Sequence, residues 1–407
     1  MAPWSELPED LLAQVFARIF FPAHRAYFQA VCRSWRSAAR PPARQLPWIV
    51  FPHGGVMIPF NSAMHRAVSY PKAITSCIGM SPADRALHQF FSLPKTMTCF
   101  GSTDGWIAID DRVGKMHRNY LLHNMFSGTT LCLPELDAAI GHVSKLFNIR
   151  KVLLRSTPDD VIAVMTNHCS CPIILTRIGK GVWLPKSYAA SLVSIIDVAF
   201  LGDRLYGVTK DEDLVFLDMA FNDSGVPMVT GGNCVIGEGF DYDDYGDHDT
   251  KYDDLTKMTK KDMVPQEYQY IVVDKSMKND IETMWYLLES RGKMLMVRRQ
   301  VVSPSEFTHK VEVFEADMSA AMWVPVEAGL EDQALFISRR FSKSVSAAFS
   351  REIQKDAIYF ADTEDVFDMR SQTVIAGQGD DFDDYNTYLR LSKSRELTWV
   401  FPPELVA

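Results

Sequence analysis

No stretch of the 407 residues approaches the roughly 18 unbroken apolar positions that a membrane-spanning helix needs. The opening MAPWSELPEDLL has no basic start followed by an apolar stretch, so a secretory leader is not expected. Cysteine is sparse, with seven residues at 32, 77, 99, 132, 169, 171 and 234. An odd number at irregular spacing makes a poor disulfide framework and points to a reducing compartment. These absences predict a soluble protein of the cytoplasm, the nucleus or both, with no membrane partner.

Catalytic signatures are equally scarce. No Ser sits in a G-x-S-x-G elbow, phosphate-cradling glycine loops are missing, and the ten His lie scattered. The expectation is a non-enzyme that needs no cofactor. Two segments imitate metal sites. His168-Cys169-Ser170-Cys171 supplies thiols and an imidazole, but a structural zinc site wants four N or S ligands, usually as two spaced pairs. With no second pair nearby, a strand edge with buried thiols is the better reading. Asp241-Tyr242-Asp243-Asp244-Tyr245-Gly246 has carboxylates at calcium-loop positions one and three and Gly at six. Position five is then Tyr245, and position twelve is Tyr252, where a bidentate Glu is required. No metal is expected.

Charge is unevenly placed. The formal total is -9, yet residues 1–50 hold six Arg against Glu6, Glu9 and Asp10, leaving -12 for the remainder. An acidic body argues against binding nucleic acid through its phosphates. Arg33, Arg36 and Arg40 share one helix face, which reads as a solvated stripe or a contact with an acidic protein rather than a nucleic-acid surface.

What is present divides near residue 45. Hydrophobic residues make 47% and charged residues 23%, an ordinary globular balance, and the length exceeds what one core usually holds, so two units are expected. Leu7, Leu11, Val15 and Ile19 recur every four positions, with Leu12 and Phe16 widening the stripe into a helix face. Pro8 suits a first helical position, and Glu9 and Asp10 meet the positive end of the helix dipole. Phe20-Phe21-Pro22 breaks this helix. A second helical stretch carries Tyr27, Phe28, Val31 and Trp35 and ends at Pro41-Pro42 and Pro47. A segment of about 40 residues cannot bury its whole apolar stripe internally, which predicts a partner contact.

From Trp48 onward the pattern turns to short β-rich runs split by turns. The cleanest is DVAFLGDRLYGVTKDEDLVFLDM, residues 197–219, three strands joined by Gly202-Asp203 and by 210–213. A strand, polar turn and second strand recur at LHNMFSGTTLCLP, LTRIGKGVWLP and FEADMSAAMWVPV, ending at Pro134, Pro185 and Pro325. VFLDMAFNDSGVPMV (Pro227) and FDMRSQTVIAG are looser copies. The prolines stand 51, 42 and 98 residues apart, the last close to twice the others. A period of about 40–50 residues in short strands is the mark of a β-propeller. Trp48-Ile49-Val50-Phe51 and Trp399-Val400-Phe401 match each other, as strands closing a ring in one blade should. Residues 237–262 interrupt the rhythm with seven Asp between 241 and 254 and read as a solvated insertion.

The run WSELPEDLLAQVFARI…AHRAYFQAVCRSWRSAAR, residues 4–40, resembles the F-box, a short helical module that docks on the Skp adaptor of cullin-based ubiquitin ligases. The opening Leu7-Pro8, the helix through Val15-Phe16 and the segment 31–36 carry the likeness. Where many plant relatives have a capping Asp, this sequence has His24. The remainder is similar to the KIB-type β-propeller of plant F-box families, through residues 197–219, YLLESRGKMLMVRR (286–299) and the run from 333 to WVFPPEL. The resemblance implies a small all-α F-box module at 1–45 and an all-β propeller at 46–407, with six blades favoured and seven the runner-up. It also implies a substrate-recognition subunit that binds a protein substrate; the alternatives are a propeller enzyme or small-molecule binder whose F-box governs only its turnover, or a Skp-bound scaffold without ligase activity. Leu7, Pro8, Leu11, Leu12, Val15, Ile19, Val31 and Trp35 are the positions expected to meet the Skp adaptor.

Overall fold

The computed structural model describes residues 4, 7–17, 19, 22–39, 47–50, 56–57, 79–80, 87–88, 93–114, 117–141, 149–155, 161–167, 172–185, 192–237, 271–274, 281–302, 307–375 and 397–402, apart from 95, 193, 351–352 and 364. The acidic insertion beyond Gly237 and the segments 168–171 and 241–252 lie outside the described residues. None of the described helices is long and apolar enough to cross a membrane.

Helix α1 (Glu9–Ala17) begins at the carbonyl of Pro8, which accepts the amides of Leu11 and Leu12, both at 3.1 Å. The second helical stretch divides into α2 (Pro22–Val31) and α3 (Arg33–Ala38). The reason is local: Cys32 is fully extended, with φ -162° and ψ 177°, and its carbonyl accepts the Arg36 amide at 3.0 Å to start α3. His24 falls inside α2 rather than before it, because Pro22, with φ already fixed near the helical value, supplies the start. Leu12, Phe16, Phe28, Ala38 and Ala39 form the buried core of these helices. Phe28 holds it together, 5.2 Å from Phe16 and 4.4 Å from Trp35 between ring centroids.

The β region is a ring of radially placed sheets. The first blade holds Met97–Thr103, Trp106–Val113, His117–Asn124 and Thr130–Cys132. The second holds Ile149–Leu154, Val161–Thr166, Ile173–Arg177 and Gly181–Trp183. Ile195–Leu201, Arg204–Thr209, Leu214–Phe221 and Pro227–Ile236 make the third. The fourth adds a short strand, Ile271–Asp274, to Ile281–Ser290, Lys293–Val302, Phe307–Asp317 and Met322–Pro325. In the fifth, Gln333–Ile337 pairs in parallel with Ala357–Phe360 and antiparallel with Lys343–Ser346, and Val366–Asp368 and Thr373–Ile375 complete the sheet.

Among the described residues five sheets of four or five strands are present, which differs from the six blades favoured from the sequence. The five strand–turn–strand copies each fall on one outer hairpin, one per blade. Between Pro227 and Pro325 the described residues hold one further blade, and residues 238–270 lie outside them. The region is also not purely β. Pro134 ends no strand but opens α4 (Pro134–Ile140), whose Leu136 and Ile140 are buried between the first two blades.

A three-stranded sheet joins the two ends of the chain between the fifth and first blades. Trp48–Val50 pairs antiparallel with Thr398–Val400, in the register Trp48↔Val400, Ile49↔Trp399, Val50↔Thr398, and also with Val56–Met57. Trp399 donates its indole N–H to the Ile337 carbonyl of the fifth blade at 2.9 Å, and Ser102 of the first blade donates to the Trp399 carbonyl at 2.5 Å. Side chains alternate across each strand, so opposite faces feed different cores. Ile107 and Ile109 enter the central cluster with Trp48, Phe336 and Trp399, whereas Ala108 packs between the first and second blades.

Truncation after Arg395 removes Thr398–Val400 and bares the edge of Trp48–Val50, besides emptying the site of the fully buried Trp399. The truncated chain should aggregate or lose its cooperative melt; a monomer melting at the full-length temperature would show that the terminal pairing does not hold the ring.

Candidate functional site

Two regions combine unusual side chains. The first is the helical module. Leu11 and Val15, one turn apart on α1, are 44% and 45% exposed, and Val31 on α2 is 57% exposed. Pro8 is also exposed. Leu12 points the other way and is completely buried, so it braces the exposed face of α1 from behind. Leu7, Ile19 and Trp35 are partly buried against the same core. The Trp35 indole N–H donates to the Trp4 carbonyl at 3.0 Å, which ties the segment ahead of α1 to α3. Two exposed aromatics, Trp4 and Tyr27, were not among the positions expected to meet the adaptor. Tyr27 stands four residues before Val31, a spacing that puts both on one face of α2. Arg33 and Arg36 are exposed, and Arg36 donates to the Gln29 carbonyl at 3.1 Å.

The second region is the set of charged groups buried between blades. Lys151 and Asp197, on the innermost strands of the second and third blades, meet at 2.8 Å, and Asp197 also accepts the Leu287 amide of the fourth blade at 2.8 Å. One carboxylate thus fastens three blades. Arg150 donates to the Ile196 carbonyl at 2.6 Å, and Arg340 of the fifth blade donates to the Ile149 carbonyl. Glu212, at φ 66°, accepts Trp285 Nε1 at 2.9 Å and Arg298 at 2.6 Å, while its carbonyl accepts Trp323 Nε1 at 2.6 Å. These three bonds hold a non-glycine residue in the left-handed region and clasp the third blade to the fourth.

Arg299 is the most enclosed of these groups. It has no exposed surface, donates to both Asp362 oxygens from Nη1 at 2.8 and 3.0 Å, and reaches Thr308 and Thr363. Its guanidinium lies 3.9 Å from the Phe360 ring centroid. Burial alone would lower the Arg299 pKa, but Asp362, Tyr286 and Asp365 raise it above its ordinary value. Burial likewise pushes Asp362 up, yet Arg299 and Arg339 hold it below the usual carboxylate range. Both groups stay charged, and each depends on the other.

Among the described residues no group of three His, Cys, Asp or Glu side chains is placed to hold a metal ion.

Residues 79–386 match the KIB1-4 beta-propeller family and residues 4–44 match the F-box domain. The propeller match covers more than half of the chain, which therefore belongs to the KIB1-4 beta-propeller family and carries an F-box domain ahead of it. A probable F-box protein of Arabidopsis thaliana is similar, 22% identical over 247 residues, or 53% of this chain and 56% of the relative. The chain thus spans little more than half the length of that plant relative.

Replacing Arg299 by Met should cost about 3–5 kcal/mol, because it strands the buried Asp362 charge. Since the folded Asp362 pKa is depressed, its stabilisation is full above the unfolded value of about 3.9 and fades as pH falls through it toward the folded value. The Asp362→Asn variant should accordingly show a shallower loss of stability on acidification. Urea midpoints at about pH 7 and about pH 3.5 read both effects; an Arg299→Met midpoint equal to wild type would refute the buried-pair account.

Proposed function

We propose that this protein is the substrate-recognition subunit of a Skp–cullin–F-box ubiquitin ligase, acting in the cytoplasm, the nucleus or both. The observation that carries the reading is the distribution of exposed apolar side chains. Of the ten large hydrophobic residues exposed among the described residues, five lie within the first 31 positions: Trp4, Leu11, Val15, Tyr27 and Val31. The module spends part of its scarce apolar surface outside a core that has five buried members among the described residues. A face of that kind fits a protein partner, and the F-box match supports the Skp adaptor as that partner. Leu11, Val15 and Val31 form the contact, with Leu7, Pro8, Ile19 and Trp35 at its margins and Leu12 bracing it.

The propeller holds a protein substrate and does no chemistry of its own. Its contribution to ubiquitin transfer is proximity, since the ligase's other subunits carry the reactive groups. The family match of the ring and the F-box label of the plant relative favour this division of labour.

Leu11→Glu combined with Val15→Glu puts charge on the exposed face without touching the core. Stability should stay within about 1 kcal/mol. Affinity for the Skp adaptor, measured by titration calorimetry, should fall at least tenfold, about 1.4 kcal/mol. Undiminished affinity in that variant would remove the basis for the assignment. Proximity labelling with the ligase inhibited then distinguishes an accumulating protein partner from none.

A further inference from the structure

Of the five large hydrophobic side chains exposed on the described part of the ring, three sit on one outer hairpin, that of the fourth blade: Met318, Met322 and Val324. The molecule carries its own control for this patch. The outer hairpins of the first, fourth and fifth blades make the same turn. In each, a side-chain oxygen accepts the two amides that lie two and three residues further on: Asn124 from Phe126 and Ser127, Asp317 from Ser319 and Ala320, Asp368 from Arg370 and Ser371. The fourth residue on then stands in the left-handed region, Gly128 at φ 72°, Ala321 at 52° and Gln372 at 55°.

Side chains at matching places in these turns differ. The first and fifth blades put hydroxyls three and five residues beyond the Asn or Asp, and the hydroxyls bond to each other, Ser127 to Thr129 at 2.9 Å and Ser371 to Thr373 at 2.6 Å. The fourth blade has Ala320 and Met322 there and forfeits that bond. Its Met318 is exposed, whereas the matching Met125 is partly buried and Met369 is buried. Hydroxyls serve this turn, so nothing in its folding calls for an apolar tip. A local choice that costs the fold a bond and exposes apolar surface marks contact with another molecule.

Charge says what the patch can meet. Residues 311–332 hold six carboxylates and no Lys or Arg. Glu312, Glu315, Glu331 and Asp332 are paired with Arg298, Lys293 and Arg291. Asp317 and Glu327, on either side of Met322 and Val324, have no ion-pair partner among the described residues. Met322 and Val324 are two apart and so share one side of their strand, while Trp323 turns the other way and donates to the Glu212 carbonyl.

We propose that the outer hairpin of the fourth blade is where the ring takes hold of its protein substrate, through a segment whose apolar side chains are flanked by Lys or Arg. This rests on the reading of the ring as the substrate holder. The segment's apolar side chains cover Met318, Met322 and Val324, whose thioethers adapt to varied shapes. Its cations approach Asp317 and Glu327, an attraction weakened by salt.

The test titrates the full chain with a fluorescent peptide, Lys-Lys-Leu-Ser-Leu-Lys-Lys, and with its counterpart carrying Glu for every Lys. The Lys peptide should bind saturably, and the Glu peptide about tenfold more weakly. Ala320→Ser with Met322→Thr, which installs the hydroxyl pair of the other two blades, should keep the melting midpoint and weaken the Lys peptide about tenfold. Glu327→Gln, on an exposed position, should weaken it about threefold. Absence of saturable binding, or undiminished affinity in these variants, would overturn the proposal. Self-association that the hydroxyl variant abolishes, with no peptide bound, would do so too, by assigning the face to a second copy of the chain. With the ligase inhibited, proximity labelling of a protein on wild type and hydroxyl variant alike would overturn this site and leave the substrate reading standing; accumulation on neither would overturn both.

Discussion

Ring closure is the constraint on which the rest of this structure depends. Each blade has an inner and an outer edge, and a ring of sheets leaves no gap only if its two ends meet. Here the meeting is made by Trp48–Val50 against Thr398–Val400, nearly the full length of the chain apart. Trp48 and Trp399 are both buried, and Phe336 of the fifth blade stands edge-on to Trp399 at 5.1 Å. The loop-closure entropy of so distant a pairing grows only slowly with chain length. A few large aromatic side chains removed from water can offset it, since each is worth roughly 1.5–3 kcal/mol or more when fully buried. That is why each closing strand carries a Trp and a Val although only three residues long.

Closure alone leaves neighbouring blades free to slide, and the buried charges answer that. Hydrophobic contact between blades is nondirectional, whereas the Lys151–Asp197 pair and the Arg299–Asp362 fork accept one geometry. Buried ion pairs add little net stability because desolvation consumes most of the Coulomb gain. Their effect here is to fix register: Asp197 addresses a side chain on one neighbour and a backbone amide on the other, so a one-residue slip of either strand would strand a charge. Apolar residues supply the attraction, and the charged groups select the arrangement.

Much of this was legible in the sequence, for identifiable reasons. Outer hairpins were visible because their strands alternate and their turns use Gly, Asp and Pro, and five copies were there to be read. The blade number was not legible, since the 98-residue interval between Pro227 and Pro325 does not by itself separate a missing repeat from an insertion. The matching Trp-rich ends announced the closing sheet. Within the module, the four-residue spacing of Leu7, Leu11, Val15 and Ile19 identified helix but could not say which side of α1 faces inward; Leu12 took the core while Leu11 and Val15 stayed out. The break at Cys32 was invisible, having neither Gly nor Pro to mark it. Charge pairs such as Lys151–Asp197 left half a signal. A Lys inside IRKVLL and an Asp inside IIDVAF are out of place in buried strands, yet nothing in either run names the partner 46 residues away.

The two parts of the chain meet the same problem in opposite ways. The ring turns most of its apolar side chains inward. The helical module is too short for that: among its described residues five are buried, Leu7, Ile19 and Trp35 are partly covered, and Leu11, Val15 and Val31 stay exposed. Adding a partner that covers Leu11, Val15 and Val31 would therefore serve two ends at once, completing the module's core and joining the ring to a larger assembly. On this view the exposure of these residues and the small size of the module are one property. A longer helical domain could have buried the stripe, and would then have had nothing to dock with.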